Sequence, residues 1–186
     1  MQITKTFYAP DRKAWRNWLQ EHSQTENEVW LIYYRKQSGK VRISYNDAVE
    51  EALCFGWIDS TVKAYDAERI VQRFSPRRRD SPYSQTNKER LQRLIKQGQV
   101  SKAVLATLSD IVTEEFTIPD DILQALKANP QAWENFQRYS GSYQRIRIAY
   151  VDSARRRPGE FEKRLKHLLD LTEKDKQFGF GIETYY

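Results

Sequence analysis

Apolar residues are spaced in two different ways in the first part of the chain. Trp15, Trp18 and Leu19 fall at i, i+3 and i+4, which predicts a helix over residues 11–22 with one buried face. Residues 29–36 (VWLIYYRK) are instead apolar at both alternating sets of positions. We therefore expect a central β-strand that is covered on both faces.

A second helix is expected after Ser44. Ser44 and Asp47 have the spacing of a capping box, in which Asp47 reaches back to the backbone amide of Ser44. The helical pattern that follows has one apolar face and directs Glu50 and Glu51 away from it. Gly56 is predicted to end the helix in the left-handed conformation, which costs glycine little.

The pattern then changes to the period of β-strands. Residues 61–75 alternate apolar and polar positions with a break at 66–68, which predicts two strands joined by a tight turn. Pro76 should end the pairing because proline has no amide hydrogen to donate.

The rest of the sequence is predicted to be helical. Thr86 and Glu89 have capping-box spacing at the start of a helix that should end at Gly98. Further helices are expected at 101–108, 120–128, 130–139, 142–156 and 158–172. Within the last helices, Trp133, Phe136 and Tyr150 are among the residues expected to form the buried seam. The tail is either docked by its aromatic residues or frayed.

We therefore expect an α+β fold, with a small antiparallel or mixed sheet and packed helices in the N-terminal part and an all-helical C-terminal part. Residues 1–108 should form the α+β unit and 109–186 a helical unit packed on it, and the two could be one compact domain. The segment 109–119 is the best candidate boundary, since its alternation at Ile111, Thr113, Phe116 and Ile118 is not helical.

Composition limits the kinds of binding site and the location that we expect for this protein. A single cysteine excludes an internal disulfide, and two distant histidines argue against a zinc site. We predict no cofactor. No stretch approaches the ~20 apolar residues of a membrane span, and we expect a cytoplasmic protein. The formal net charge of +6 favours an anionic partner. The five tryptophans leave a homodimer possible.

The positive charge is concentrated in two places. Between Arg69 and Arg79 there are five arginines and no acidic residue, just before a predicted helix start. Free amides at a helix start and guanidinium groups both favour an anion. The sequence predicts a ligand site formed by the following residues: Trp57, Asp59, Arg73, Arg77, Arg78, Tyr83, Ser84 and Asn87. The alternative is a solvated loop whose arginines pair with nearby acids.

The second basic cluster runs through Arg145, Arg147, Arg155, Arg156 and Arg157, and we expect most of it to be solvated. If both clusters lie on one face, a nucleic-acid backbone is the better partner; if they do not, a small anion is.

No catalytic group stands out from the sequence. Cys54 lies at a helix C-terminus, where the dipole raises a thiol pKa, so a buried apolar role is expected. Asp59 has no partner at catalytic spacing, and turn capping or an ion pair is its expected role. An enzymatic function would need an unrecognised convergence of Asp59 with Tyr33, Tyr34, Lys36 and Arg73.

Three segments resemble the YdeI/OmpD-associated family, which is also described as bacteriocin-protection or OmdA. They are EALCFGWIDS at 51–60, RFSPRRRDSPYSQTNKER at 73–90 and YVDSARRRPGEFEKRLK at 150–166. The resemblance implies an α+β N-terminal unit and a helical C-terminal unit in a cytoplasmic bacterial protein. It implies no catalytic residues.

Three functions remain open from the sequence. The first is a non-catalytic module that binds an anionic, phosphate-bearing ligand, linked by the resemblance to bacteriocin protection or stress resistance. The second is a nucleic-acid-associated stress protein that uses both basic clusters. The third is an enzyme with an unrecognised site.

Overall fold

The structure is a computed structural model that describes residues 2–78, 80–108 and 115–186. The chain divides into two compact units, one of Met1–Tyr83 with Arg90–Val112 and one of Ser84–Glu89 with Thr113–Tyr186. All strands of the described residues lie in the first unit, and helices occur in both, so the predicted α+β class is confirmed. The boundary predicted at 109–119 falls largely on 109–114, outside the described residues, and stays a prediction.

A mixed sheet forms the centre of the first unit. Its strands are β1 (Thr6–Tyr8), β2 (Val29–Tyr34), β3 (Trp57–Ala64) and β4 (Arg69–Pro76), in the order β1-β2-β4-β3. β1 is parallel to β2, and the other pairs are antiparallel. β2 is the central, doubly covered strand that its sequence predicts, since every residue from Val29 to Tyr33 is buried. β1 was not predicted, because three residues are too few to show a period.

Helices cover one face of this sheet. They are α1 (Arg12–His22), α2 (Tyr45–Cys54) and the short α4 (Lys102–Leu105), and a 3-10 turn covers Lys36–Ser38. α1 starts as predicted, with the Asp11 carboxylate accepting from the amide of Ala14 at 2.8 Å. The core between helices and sheet is formed largely by aromatic and branched side chains, among them Trp15, Trp18, Leu19, Leu31, Leu53, Trp57 and Phe74.

The ends of α2 are largely as predicted. The Ser44 hydroxyl accepts from the amide of Asp47 at 3.1 Å, and Gly56 follows the helix with φ of +74°. The second half of the capping box is different, because the Ser44 hydroxyl itself donates to the Asp47 carboxylate at 2.7 Å. Glu50 and Glu51 are 7% and 2% exposed, because arginines of other helices cover them, and the spacing gave no sign of this burial.

The hairpin turns where the sequence predicts. The strands β3 and β4 are joined by residues 65–68, and Pro76 is the last residue of β4. β3 begins at Trp57, which is earlier than the alternation indicates, and its register shifts between Asp59 and Val62. Such a bulge interrupts the alternation, which explains why only the later part of the strand was recognised.

The second unit is helical. It contains α5 (Asp120–Lys127), α6 (Pro130–Arg138), α7 (Gly141–Asp152), α8 (Glu160–Glu173) and a 3-10 turn at Glu183–Tyr185. Its core includes the following residues: Ile122, Leu126, Phe136, Ile148, Val151 and Leu168. α7 ends before the predicted limit of 156, and Tyr150, expected in the seam, is 39% exposed.

Helix α3 (Gln85–Lys96) belongs partly to each unit, with its first turn in the second. The capping box predicted for Thr86 and Glu89 was wrong. The Ser84 hydroxyl accepts from the amide of Asn87 at 3.3 Å, so the helix is capped before Thr86. Glu89 is 3% exposed, and Arg145 and Ser142 donate to its carboxylate.

The C-terminal tail is docked. Ile182 and Tyr185 are buried, and the hydroxyl of Tyr186 donates to the carbonyl oxygen of Gly179 at 2.8 Å. Within the described residues, the structure contains no helix with the length and apolar content of a membrane span.

Candidate functional site

The buried glutamates of α2 form a neutralised charge cluster, which we call the α2 charge cluster (Arg12, Arg16, Glu50, Glu51 and Arg93). Glu51 accepts from Arg12 Nε at 2.5 Å and from Arg16 Nη1 at 2.6 Å. Glu50 accepts from Arg12 Nη1 at 3.0 Å and also pairs with Arg93. Each charge in this cluster therefore has an opposite charge beside it, which is typical of a structural rather than a ligand-binding role.

Two residues of the predicted ligand site have structural partners in the first unit. Trp57 is completely buried and donates through Nε1 to the carbonyl of Ser23 at 3.1 Å, so its ring does not form an open wall. Arg73 Nε donates to Glu28 at 2.6 Å. The hydrogen bonds from Thr4 and Arg73 hold the pKa of Glu28 below its usual value.

Asp59 lies on the helix-facing side of the sheet, where its carboxylate accepts two hydrogen bonds. Its Oδ2 accepts from the Tyr45 hydroxyl at 3.2 Å and from Gln72 Nε2 at 2.7 Å. Burial raises the pKa of Asp59 even though these bonds oppose the shift. The neighbouring Tyr33 hydroxyl is buried and has no hydrogen-bond partner among the described residues. Burial, and then the charge of Asp59, raise the pKa of Tyr33.

The residues that an enzyme would need do not all converge. Asp59 pairs across the ladder with Phe74, so the adjacent Arg73 points to the opposite face. Tyr34 also alternates away from Tyr33, and Lys40 lies 4.5 Å from the centroid of its ring. Lys36 is exposed on the 3-10 turn. Of the five residues considered, the structure brings together Asp59 and Tyr33.

The segment that follows β4 contains the arginines that the sequence singled out, and we call residues 77–83 the arginine loop. The amide of Arg77 donates to the carbonyl of Gly56 at 2.9 Å, which fixes the loop to the start of the hairpin. The Arg77 guanidinium carbon lies 3.7 Å from the centroid of the Tyr83 ring. This stacking orients the charged group.

Among the described residues, the Arg77 guanidinium donates only to neutral acceptors. Its Nη2 donates to the carbonyls of Ser81 at 2.8 Å and Pro82 at 2.5 Å, and its Nε is buried without a partner in the described part of the chain. Arg78 is exposed and makes no ion pair with a described residue. Arg79 is outside the described residues.

Ser84 and Asn87 belong to the second unit, where they form the start of α3. The Ser84 hydroxyl is used in the N-cap, and Asn87 is 9% exposed. Their predicted contribution to a ligand site stays a prediction.

Arg155, Arg156 and Arg157 of the second basic cluster are exposed, as expected, whereas Arg145 is half-buried and Arg147 is buried. Arg145 Nε donates to Glu89 at 2.6 Å, and Arg155 pairs with Asp121 at 2.7 Å. Arg147 is 7% exposed. The sequence could not show this, because each partner or covering residue is distant along the chain or on another turn.

The described residues offer neither a reactive cysteine nor a metal site. Cys54 is buried, and burial raises the pKa of its thiol to about 11, which leaves it protonated at neutral pH. Among the described residues, no three histidine, cysteine, aspartate or glutamate side chains are grouped so that they could hold a metal ion.

Two protein families match the chain, one on either side of residues 108–114, which is close to where the two compact units divide. Residues 7–107 match the family described as a domain of unknown function (DUF8412). The chain belongs to this family. Residues 115–175 match a second family, described as bacteriocin-protection, YdeI or OmpD-associated (OmdA). No curated protein and no solved structure matches the chain.

The OmdA match confirms the resemblance noted in the sequence, over one part of the chain. The motif at 150–166 lies inside the matched segment. The motifs at 51–60 and 73–90, which include the arginine loop, lie instead in the segment matched by the DUF8412 family.

Proposed function

We propose that this protein is a non-catalytic module whose first unit binds a phosphate-bearing ligand at the arginine loop. The observation that carries the proposal is the environment of Arg77, which stacks on Tyr83 and donates, among the described residues, only to neutral oxygen atoms. Arg78 adds a second positive charge at the adjacent position, and neither side chain forms an ion pair with a described residue.

Other arginines of the first unit support this assignment by contrast. Arg12, Arg16 and Arg93 each have a carboxylate partner, as do Arg69 and Arg73. Their charges are cancelled within the unit, so an incoming anion would gain little from them. At the arginine loop an anion would meet a guanidinium whose orientation is already fixed, and less entropy is then lost on binding.

We assign the predicted site residues accordingly. Arg77, Arg78 and Tyr83 form the anion site, with Arg77 as the oriented donor and Tyr83 as its support. Asp59 of the hairpin, beside the Tyr33 hydroxyl of β2, is the polar position that we assign to a hydroxyl group of the ligand. Trp57 and Arg73 stabilise the hairpin and do not contact the ligand.

We extend the proposal to a cytoplasmic role in bacteriocin protection, because the family matched by residues 115–175 is described by that property. A nucleic-acid backbone has the same phosphate chemistry as a small ligand. It is the less favoured partner because Arg145 and Arg155 pair with carboxylates of the second unit and Arg147 is buried, which leaves Arg156 and Arg157 as the exposed arginines of the second cluster without an ion pair to a described residue.

The test is calorimetric titration of the full chain with pyrophosphate, compared with a variant in which Arg77 and Arg78 are both changed to glutamine. We expect the double variant to bind at least about tenfold more weakly, which corresponds to ~1.4 kcal/mol. The matched control is Arg35→Gln, which removes another exposed arginine of the same unit and should leave the affinity unchanged. Equal affinity in the double variant would refute the proposal.

A second titration separates the two partners. Anisotropy of a labelled single-stranded oligonucleotide is measured over a salt series, with the wild type and with Arg77, Arg78 and Arg79 changed to alanine. Binding to a nucleic-acid backbone must weaken steeply with salt, since counterions are released. We expect pyrophosphate binding without tight oligonucleotide binding; strong, salt-dependent oligonucleotide binding that is lost in the triple variant would reverse that preference.

A further inference from the structure

Arg147 is the most deeply buried of the described arginines of the second unit. It lies on α7 and is 7% exposed. Burial lowers the pKa of its guanidinium from the usual value, although the group remains a cation at neutral pH. A buried cation is costly unless an opposite charge or a full set of acceptors lies beside it.

Among the described residues, Arg147 has neither an opposite charge nor a full set of acceptors beside it. Its Nε is buried without a hydrogen-bond partner, and the guanidinium forms no ion pair with any residue that the structure describes. Glu183 of the tail accepts from the backbone amide of Gly181 at 3.1 Å.

The other arginines that pack in this unit behave differently. Arg138, Arg145, Arg155 and Arg164 each pair with a carboxylate. Arg145 is only two positions from Arg147 on the same helix, and its partner Glu89 is almost fully buried. The unit therefore provides a carboxylate for each of these more exposed arginines and none for the buried one.

The surroundings of Arg147 are aromatic. Its guanidinium carbon lies 4.9 Å from the ring centroid of Phe178, 5.1 Å from that of Tyr150 and 5.8 Å from that of Tyr143. The faces of these rings attract a cation and offset part of the cost of burial. They supply no hydrogen-bond acceptor to Nε, so the directional bonding of the guanidinium is left incomplete.

The tail approaches the guanidinium without filling its bonding positions. A Cβ at Gly179 would lie 2.8 Å from Arg147 Nη1, so the tail passes close to the guanidinium. The next residue, Phe180, is 86% exposed, and Tyr150 is 39% exposed, so the aromatic surroundings lie close to the surface. A small group could reach Arg147 beside the tail.

We propose that Arg147, with Tyr143, Tyr150 and Phe178 around it, is a binding site for a small oxyanion, either a carboxylate or a phosphate group. The oxyanion supplies the negative charge and the acceptors that the protein does not provide. Guanidinium and oxyanion form charge-assisted hydrogen bonds, which are strong where water is largely excluded. This site is separate from the arginine loop and does not depend on it.

The experiment follows the Arg147 Nε–H signal in ¹H–¹⁵N spectra of the full chain during titration with sodium phosphate or sodium acetate at constant ionic strength. A buried Nε–H exchanges slowly enough with water to be observed. The signal is assigned through bonds in the wild type and checked by its loss in Arg147→Lys, so the test does not require that variant to fold. We expect a saturable shift with at least one of the two anions, and the stronger response identifies the chemistry of the oxyanion.

Two controls make the result specific. Arg156→Lys changes an exposed arginine of the same cluster and should leave the titration unchanged. The titration is repeated in the Arg77→Gln, Arg78→Gln background, where the shift should persist because the two sites are independent. A signal that does not move, or that moves linearly together with the exposed arginines, would overturn the proposal and leave the aromatic rings as the sole compensation of Arg147.

Discussion

The α2 charge cluster and the arginine loop both contain arginines, but the arginines of the two regions have opposite surroundings. In the cluster, Arg12 and Arg16 converge on Glu51, which is 2% exposed, and their charges are cancelled. In the loop, Arg77 is held by a tyrosine ring and two carbonyls, and its charge is retained. The comparison indicates that the partner of an arginine, rather than its presence, separates stabilising from binding positions.

The largest effect is expected in the cluster. Glu51→Gln removes the negative charge from between Arg12 and Arg16 and leaves two cations close together. Breaking a buried ion pair costs about 3–5 kcal/mol, and since both arginines are about one-third exposed we expect the lower end, roughly 3 kcal/mol. Urea denaturation measures the loss. Asp170→Asn, which breaks an exposed pair with Lys166, should have no measurable effect. Equal stability of Glu51→Gln and the wild type would contradict the structural role.

Trp57 tests, in an uncharged residue, the distinction between stabilising and ligand-binding positions. It was predicted to be part of the ligand site but is fully buried. Trp57→Phe leaves a cavity and an unpaired Ser23 carbonyl, and we expect a loss of roughly 2 kcal/mol. Pyrophosphate affinity, measured by calorimetry below the unfolding temperature, should not change. A variant with normal stability and weakened binding would place Trp57 in the ligand site after all.

Glu89 provides a pH test in the second unit. Burial alone would raise the pKa of Glu89, but hydrogen bonds from Arg145, Ser142 and Gln85 outweigh it and hold the pKa below its ordinary value. The unfolded chain therefore binds the proton more readily than the folded one. The stabilisation is fully present above about pH 4.5, near the unfolded pKa, and is lost as the pH falls through the folded pKa.

Glu89→Gln should remove this part of the acid sensitivity. We expect a loss of about 1–2 kcal/mol at pH 7 and a smaller difference from the wild type below pH ~4. Thermal unfolding over a pH series measures both. A difference between variant and wild type that stays constant down to low pH would show that the pair with Arg145 is not the source of the stabilisation.

The smallest effect on stability is expected in the arginine loop. Arg77→Gln removes a cation–π contact and two bonds to carbonyls at the surface, so the free energy of unfolding should change by no more than about 0.5 kcal/mol. Pyrophosphate affinity should nevertheless fall. Large destabilisation of this variant would remove the contrast with the α2 charge cluster, because Arg77 would then be a structural residue as well.

Local signals explain which elements could be predicted. The N-cap at Asp11, the left-handed Gly56 and the turn at 65–68 each depend on a few adjacent residues whose conformational preferences are strong. β1 was missed because it is short and is held by pairing with β2, more than twenty residues away. The candidate site was predictable only as a run of arginines.

The positions of the acidic partners were not predictable. Glu50 and Glu51 have the spacing of residues on a solvated face, yet α1 and α3 bring arginines over them. Glu89 has the spacing of a capping box, yet α7 provides Arg145 and Ser142 as its partners. In each case the decisive contact joins residues more than thirty positions apart.

The sequence by itself determined the α+β class, the central strand, the hairpin and most helix ends, because hydrophobic period and capping are properties of neighbouring residues. Only the tertiary structure decided which charges are cancelled. An arginine's free energy depends on the carboxylates, carbonyls and rings that surround it in space, and these come from distant parts of the chain. Arg145 and Arg147 are two residues apart, but one has a buried carboxylate and the other has aromatic rings.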